Sequence, residues 1–273
     1  MDQWNTSEEL VSLTCSGGRF AKVKSYLLEE VPLEIVINQT RSVLIMCTPS
    51  SIRELVIGFL FTEGYIKEPS DIDYYGEERV GEQAGSGYIK VEVKLPGLDK
   101  ESEKGSVEVA RASFSSCGIC GKEGYAGLDR GLERVKSHQR FSMGVLMRLP
   151  EALKQSQPLY TQTGAAHAAA IFTPNGGLVS TREDLGRHNA LDKAIGMTLL
   201  EGIRRDDKAL LSSGRASLEM ILKAARAGFP IFVAISRPTR RAVEAAKYYN
   251  ITLVDLAKNT NRIYTHARRI TGY

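Results

Sequence analysis

Apolar and polar residues alternate along three stretches in the first hundred positions, and a period of two is typical of strands with one buried face. The stretches are 31–37, 41–47 and 88–95, and a short polar link at 38–40 predicts that the first two form a hairpin. Between them, residues 52–65 have apolar side chains at helical spacing after a Thr-Pro-Ser-Ser sequence that can cap a helix. We therefore expect a strand-rich N-terminal region with one main helix.

The pattern changes after residues 98–106, a charged stretch nearly free of apolar side chains that predicts a linker. Beyond it, predicted strands and helices alternate, which favours a sheet layered between helices. Helices are predicted at 144–155, 185–200, 218–227 and 239–249, and strands at 171–172, 178–180, 209–211, 231–235 and 251–256, with a hairpin turn at 174–177. We expect an α/β fold (α+β overall), with a smaller strand-rich domain at 1–106 and a second domain at 107–273.

Composition narrows the class of protein. The 273 residues are 42% hydrophobic and 25% charged, which is ordinary for a soluble globular protein. A net charge of +4 suits an anionic ligand, but the chain lacks the dense basic patches of nucleic-acid binders. No signal sequence or apolar run of membrane-spanning length is visible, so we expect a cytoplasmic protein whose four cysteines are reduced.

The sharpest chemical feature is the sequence Ser-Ser-Cys-Gly-Ile-Cys-Gly, which contains Cys117 and Cys120. Flanking glycines allow a tight turn that brings the two thiols together, and such thiols are reactive where their pKa is lowered. The pair could be a reactive dithiol or persulfide carrier, half of a zinc site, or incidental loop cysteines. Cys15 and Cys47 lie in strand-like apolar surroundings and are predicted to be core residues.

A polar cluster opens the helix predicted at 185–200. Arg187, His188 and Lys193 would make its start unusually cationic, which opposes the helix dipole unless an anion binds there. The alternative interpretation is a well-capped helix whose first turn is solvated.

Two strand-to-helix junctions, 211–217 and 235–239, each contain a hydroxyl side chain and an arginine. In layered sheets, ligands bind beyond the carboxyl ends of strands, where backbone N–H groups can meet phosphates. Together with the cationic helix start, they favour an anionic, nucleotide-like ligand. His167, in a run of small residues, is either a core histidine or a ligand contact, and the polar tail 258–266 is either a solvated end or a flap over that ligand.

These residues give the chain its resemblance to a known family. It resembles the formate dehydrogenase accessory sulfurtransferase family (FdhD/NarQ) over nearly its whole length. The motifs that support the resemblance are 53–60 with Glu63-Gly64, 117–121, 163–169, 183–193, 213–215 and 236–239.

The resemblance implies a cytidine-deaminase-like α/β/α sandwich for the C-terminal domain, entered through the C-x-x-C loop. It also implies a sulfurtransferase that accepts persulfide sulfur from a cysteine desulfurase and passes it to the bis-guanine-dinucleotide molybdenum cofactor of formate dehydrogenase. Cys117 and Cys120 would be catalytic, with Cys117 favoured as the persulfide carrier. The predicted cofactor-binding residues are Leu256, Ala257, Lys258, Asn259, Thr260, Asn261 and Arg262, with Arg187, His188, Ser213, Arg215 and His167.

Two other functions stay open at this point. One is a non-catalytic chaperone that only binds the molybdenum cofactor. The other, a zinc nucleoside deaminase, needs a His-x-Glu and a downstream Pro-Cys-x-x-Cys, whereas His167 is followed by two alanines and the C-x-x-C lies upstream. No permanently bound metal, nucleic-acid partner or membrane contact is expected, and a homodimer is possible.

Overall fold

The computed structural model of the protein describes residues 5–81, 87–96, 98, 132–257 and 261–272. Among these residues, no helix is both long and apolar enough to cross a membrane. The C-x-x-C loop and the predicted linker at 98–106, apart from Leu98, lie outside the described residues.

The chain begins with a two-stranded ribbon that the sequence patterns did not predict. Strands β1 (Ser7–Ser16) and β2 (Arg19–Leu28) pair antiparallel along their whole length, and most of their side chains are exposed. Cys15 lies on this ribbon and is exposed, so its prediction as a core residue was wrong. Its apolar surroundings are the ribbon's own exposed side chains and not a core.

A four-stranded sheet follows, in the order β4-β3-β6-β5. Its strands are β3 (Val31–Ile37), β4 (Arg41–Cys47), β5 (Tyr74–Val80) and β6 (Tyr88–Lys94). Alternate residues of β3 are fully buried, as the period of two predicted, and helix α1 (Ile52–Thr62) adds its apolar side chains to the same core. Cys47, at the end of β4, is buried as predicted.

The second part of the chain forms a six-stranded sheet in the order β13-β12-β11-β10-β8-β9. The strands are β8 (His167–Phe172), β9 (Leu178–Asp184), β10 (Ala209–Arg215), β11 (Ile231–Ser236), β12 (Thr252–Asp255) and β13 (Arg262–Ile263). Strands β10, β11 and β12 are parallel, β8 pairs antiparallel with β10, and β9 pairs antiparallel with β8.

Helices cover both faces of this sheet because its strands present apolar residues to each side. Ala169 and Ile171 of β8 join the core shared with helices α5 (Arg187–Leu200), α6 (Leu218–Arg226) and α7 (Arg240–Tyr248). Ala168, Ala170 and Phe172 face the opposite core. That core also contains residues of α2 (Met143–Leu146), α3 (Leu149–Gln155) and the short strand pair β7 (Phe141–Ser142) and β14 (Ile270–Thr271). Helix α4 (Pro158–Thr163) follows α3 along the chain.

Helix α1 packs directly against α5, and glycines make the close crossing possible. A Cβ on Gly58 would overlap the backbone carbonyl of Asp192, and one on Gly196 would overlap that of Glu54. The buried residues of the four-stranded sheet, α1, α5 and α6 therefore belong to one continuous core. The predicted domain boundary at 106/107 lies outside the described residues and stays a prediction.

The α/β fold predicted from the alternating elements is confirmed, with differences in detail. The helix predicted at 144–155 is two short helices, α2 and α3, because Pro150 starts a new helix at its first turn. Strand β10 continues past its predicted end at 211 to Arg215. The first turn of α5 is mostly buried, so the interpretation as a solvated helix start was wrong.

Candidate functional site

Five strands of the large sheet place their polar ends at one edge. The parallel strands β10, β11 and β12 end there, and the antiparallel register puts the start of β8 and the end of β9 at the same place. Polar residues at this edge include Ser213, Ser236 and Asp255 from the parallel strands and His167, which pairs with Asp184. The edge is the candidate site, because ligands of layered sheets bind beyond the carboxyl ends of the strands.

His167 and Ser213 are in contact at the centre of this edge. The Nδ1 atom of His167 lies 3.2 Å from Oγ of Ser213, which also accepts a hydrogen bond from the backbone N–H of Ala168 at 2.9 Å. The hydroxyl of Ser213 has one proton that it can donate to Nδ1 while its oxygen accepts from Ala168. In that tautomer His167 carries its proton on Nε2, which can donate to a ligand.

The pKa of His167 lies below its ordinary value. Burial is the main cause, the nearby charge of Arg187 adds to it, and Asp184 opposes it. The imidazole is therefore neutral at pH 7. Its role at the edge is to hydrogen-bond, and the positive charge there comes from arginine.

Arg187 supplies that charge at the first residue of α5. Its aliphatic part lies against Gly214, where a Cβ would come within 2.8 Å of Cδ of the arginine. Its Nε is buried and has no hydrogen-bond partner among the described residues. A buried guanidinium N–H without a partner costs free energy, and an anion bound at this edge would satisfy it.

Two other predicted cations are placed differently. Lys193 is fully buried, with Nζ 2.6 Å from the carboxylate of Asp184 and 3.0 Å from the backbone oxygen of Thr48. It is therefore not available to a ligand, which corrects the prediction of a threefold cationic helix start. Arg215 is exposed at the end of β10, where Ser236 is its register partner on β11.

His188 is buried between α5 and α6. Its Nε2 lies 3.5 Å from a carboxylate oxygen of Glu219 and has no hydrogen-bond partner among the described residues. Burial lowers its pKa to about 3, and the charges of Lys223 and Arg187 act in the same direction. It is a neutral residue beside the edge, and its binding of a ligand stays a prediction.

The loop before α5 is held by Asp184, which sequence reasoning did not select. Its carboxylate accepts hydrogen bonds from the backbone N–H groups of Thr48 and Gly186, at 3.1 and 2.9 Å, and from Asn189 at 2.9 Å. The motif that contains Asp184 was visible in the sequence, but its acceptor role depends on Thr48, which is 136 positions away.

The predicted cofactor segment continues from the end of β12. Leu256 and Ala257 are largely buried, and the N–H of Ala257 is bound by Asp255 at 2.7 Å. Asn261 has a left-handed backbone (φ 44°), and the exposed Arg262 pairs with Asp255 in the register of β13. With strands about 4.8 Å apart, Arg262 lies about 14 Å along the edge from β10. Lys258, Asn259 and Thr260 lie outside the described residues.

Cys117 and Cys120 also lie outside the described residues, so their position relative to this edge stays a prediction. Of the two described cysteines, Cys47 is buried, and burial raises the pKa of its thiol to about 12, which makes it a poor nucleophile at neutral pH. Within the described ranges, no group of three or more His, Cys, Asp or Glu side chains could hold a metal ion.

Comparison with known proteins places the chain in a family. The sequence model of the FdhD/NarQ family matches residues 28–271. The chain is 38% identical to the sulfur carrier protein FdhD of Thermoplasma acidophilum, over 92% of this chain and 89% of that protein. It is also 38% identical to the sulfur carrier protein FdhD of Mycobacterium tuberculosis, over 90% of this chain and 91% of that protein.

A solved structure has the same fold. It is a crystal structure from Desulfotalea psychrophila, provisionally described as a formate dehydrogenase accessory protein. The two superpose with a TM-score of 0.72 over 97% of this chain and 100% of that one, at 24% identity. The family match and the two relatives agree over nearly the whole length, and the chain belongs to the FdhD/NarQ family.

Proposed function

We propose that this protein is a cytoplasmic sulfur carrier for formate dehydrogenase maturation, which takes sulfur from a cysteine desulfurase and delivers it to a bis-guanine-dinucleotide molybdenum cofactor. Its relatives are named sulfur carrier proteins, and it contains a C-x-x-C sequence at Cys117 and Cys120. The observation that carries the cofactor part is the sheet edge, where Arg187 has a buried donor without a partner among the described residues, beside the neutral His167–Ser213 pair.

Sulfur acceptance needs one thiolate, which we assign to Cys117. The thiolate attacks the outer sulfur of the desulfurase persulfide, a new S–S bond forms, and the desulfurase cysteine leaves as a thiolate. The transferred sulfur keeps its proton and its oxidation state, so this step needs no external oxidant or reductant. Cys117 then carries the terminal sulfur as a persulfide.

Sulfur release uses the second thiol. The thiolate of Cys120 attacks the inner sulfur of the persulfide, the two cysteines form a disulfide, and the outer sulfur leaves as hydrosulfide. The dithiol supplies the two electrons that reduce the sulfane sulfur to sulfide. A thiol reductant, such as a thioredoxin-like dithiol, then restores both cysteines.

The sheet edge has the chemistry and the length to bind the cofactor. Six strands span five spacings of about 4.8 Å, so the edge extends about 24 Å and a ligand with two nucleotides can contact several strand ends at once. Arg187, Arg215 and Arg262 provide positive charge along it, and the Nε2–H of His167 can donate to a phosphate or guanine oxygen. The cofactor is the substrate of the sulfur transfer here.

Intact-protein mass spectrometry tests the sulfur-carrier step. The protein is incubated with a cysteine desulfurase and cysteine, and we expect a gain of about 32 Da that reductant removes. Cys117→Ala should abolish the gain, whereas Cys120→Ala should retain it and accumulate the persulfide. Cys15→Ala, which removes an exposed thiol outside the C-x-x-C sequence, is the matched control and should load like the wild type.

Absence of the gain in both the wild type and Cys120→Ala, with the desulfurase shown to be active, would overturn the carrier mechanism. The protein would then be assigned as a cofactor-binding chaperone if formate dehydrogenase maturation also survived the Cys117→Ala/Cys120→Ala double change.

A further inference from the structure

Residues 132–140 form no helix or strand but are held firmly against the body of the protein. The side chain of Val135 is buried. Its N–H donates to the carbonyl oxygen of Tyr249 at 3.0 Å, and its own carbonyl oxygen accepts from the side chain of Asn250 at 2.6 Å. Tyr249 and Asn250 lie between α7 and β12, so the segment is anchored near the start of β12.

A buried arginine provides a second anchor two positions further on. Arg269 is 2% exposed, and its Nε and Nη2 atoms donate to the carbonyl oxygen of Ser137 at 3.2 and 3.1 Å. Burial lowers the pKa of Arg269 to about 10, with a smaller effect from the charge of Arg268, so the guanidinium is still charged at pH 7. The carbonyl group of Ser137 thus stabilises a buried charge, and its release would cost free energy.

The exposed side chains of this segment are mainly basic. Val135 and Ser137 bind the body at alternate positions, as in an extended chain whose other side chains face away. The basic stripe consists of Arg134, Lys136, His138 and Arg140, all of which are exposed. At about 3.3 Å per residue, the stripe extends about 20 Å. Lys136 pairs with Glu133 at 2.8 Å, but both side chains lie largely in solvent, so Lys136 can exchange this partner for another carboxylate.

A groove of about 670 Å³ adjoins the basic stripe, since Arg134 and Lys136 belong to both. Apolar side chains of Phe61, Ile66 and Val135 contribute to its walls. Its described lining contains the basic residues Lys67, Arg134, Lys136 and Arg226 and the acidic residues Glu133 and Asp206. Both acidic side chains already have a basic partner, Lys136 and Arg204 respectively. The surface therefore matches a segment that carries carboxylates next to apolar side chains.

We propose that the basic stripe and its groove are the surface on which an acidic segment of the sulfur donor docks. This inference rests on the proposed function, in which the donor is a cysteine desulfurase. Arg134 follows Cys120 by 14 positions, and a chain of that length spans at most about 50 Å, so a donor docked here is within reach of the thiols. The firm anchors keep the stripe in place before the donor arrives, which lowers the entropic cost of docking.

The anionic cofactor is a less suitable occupant of this surface. The stripe is anchored before the start of β12, whereas the candidate site lies at the carboxyl end of that strand. A protein partner also benefits more from a line of charges, because complementary potentials raise the rate of protein association.

The rate of sulfur loading tests the docking surface. The parent protein carries Cys120→Ala, so that the persulfide accumulates, and Arg134→Glu/Lys136→Glu is added to it. Both proteins are mixed with a cysteine desulfurase and cysteine at low ionic strength, and the mass gain is followed with time. The second-order rate constant should fall at least about tenfold in the variant, because the charge that attracts the donor is reversed. Added salt should slow the parent and reduce the difference.

Arg19→Glu/Lys22→Glu, on β2, is the matched control. It changes the net charge by the same amount at two exposed positions outside the stripe, and it should load like the parent. Cysteine persulfide serves as a second donor. This small molecule needs no docking surface, so all three proteins should take up its sulfur at the same rate.

Four outcomes would overturn the docking surface and leave the carrier function intact. They are desulfurase loading of the stripe variant as fast as the parent, an equal loss in the β2 control, equal slowing with both donors, and weaker GDP binding by the stripe variant in calorimetry. A parent protein that gains sulfur from neither donor would instead overturn the carrier function, and the docking proposal with it.

Discussion

The carboxylate of Asp184 lies 2.6 Å from Nζ of Lys193, and neither side chain is exposed to solvent. Both groups also bind Thr48, whose N–H is 3.1 Å from Asp184 and whose carbonyl oxygen is 3.0 Å from Lys193. The pair thus joins the end of β9 to α5 and to the segment that precedes α1. Because His167 is the register partner of Asp184, the same pair supports the candidate site.

Removing one partner of this pair should destabilise the protein strongly. Lys193→Met leaves the Asp184 carboxylate buried without its cation, and we expect a loss of about 3–5 kcal/mol in the free energy of unfolding. Urea denaturation followed by circular dichroism measures it. The control is Arg204→Ala, which breaks an exposed pair with Asp206 and should leave the free energy of unfolding nearly unchanged. Equal losses in the two variants would contradict the assigned role of the buried pair.

The close crossing of α1 and α5 should not tolerate a methyl group. Gly58→Ala forces the helices apart at the Asp192 carbonyl, and we expect a loss of about 2–3 kcal/mol in the free energy of unfolding. Gly144→Ala, in helix α2, is the control. Its new methyl would lie 3.5 Å from the nearest atom, Oγ of Ser142, so the change should be neutral or stabilising by up to about 1 kcal/mol. A Gly58 variant as stable as the wild type would show that the helices can separate freely.

The buried His188 should make stability depend on pH. Its pKa is about 3 in the folded protein and near 6.5 in the unfolded chain, so below pH 6.5 the unfolded state binds the extra proton. The free energy of unfolding should therefore fall as pH decreases from about 6.5 towards 3, with His188 contributing up to about 1.4 kcal/mol per pH unit.

His188→Gln tests this contribution, since glutamine does not titrate. Urea unfolding of both proteins at pH 7, 6 and 5 gives the two slopes, and the variant should lose less stability on acidification. Parallel curves would exclude a depressed pKa at His188.

Arg187 should contribute directly to anion binding. Isothermal titration calorimetry with GDP, as a fragment of a guanine dinucleotide, should show at least about tenfold weaker binding for Arg187→Ala, because a charge-assisted hydrogen bond is lost. Arg204→Ala is the control, because it also removes one arginine charge. Arg204 lies before the start of β10, at the opposite edge of the sheet, so this variant should bind GDP like the wild type.

Two measurements distinguish GDP binding from sulfur-carrier chemistry: the affinity for GDP at increasing salt concentration, and the uptake of sulfur from the desulfurase. Wild-type affinity for GDP should fall as ionic strength rises, since salt screens the arginine charge. Arg187→Ala should still take up sulfur from the desulfurase. GDP binding that Arg187→Ala leaves unchanged would move the cofactor site away from this edge.

Local patterns in the sequence were sufficient for much of the fold. Alternation at 31–37 and helical spacing at 52–65 reflect which face each segment buries, and that depends on neighbouring residues along the chain. The strand-to-helix junctions were recognisable for the same reason. Ser217 and Thr239 do cap α6 and α7, with side-chain oxygens that accept from the N–H groups of Met220 and Ala242.

Charged residues were interpreted less successfully, because their partners lie far away in sequence. Lys193 resembled a free cation at a helix start until Asp184 and Thr48 were seen around it. The β1–β2 ribbon has alternating side chains with no core beneath them, so the usual sign of one buried face was missing.

The sequence by itself determined the order of the elements, the α/β class and the residues with reactive or charged groups, because these depend on local spacing and composition. Only the tertiary structure decided which of those groups lie together at the candidate site. Sheet register brings His167 to Ser213, which is 46 positions away in sequence. The buried Lys193 forms an ion pair with Asp184. A buried guanidinium N–H of Arg187, in contrast, has no partner in the described part of the chain. The physical reason is that the ion-pair and hydrogen-bond partners of a polar side chain are its neighbours in space, and folding brings those neighbours together from distant segments of the chain.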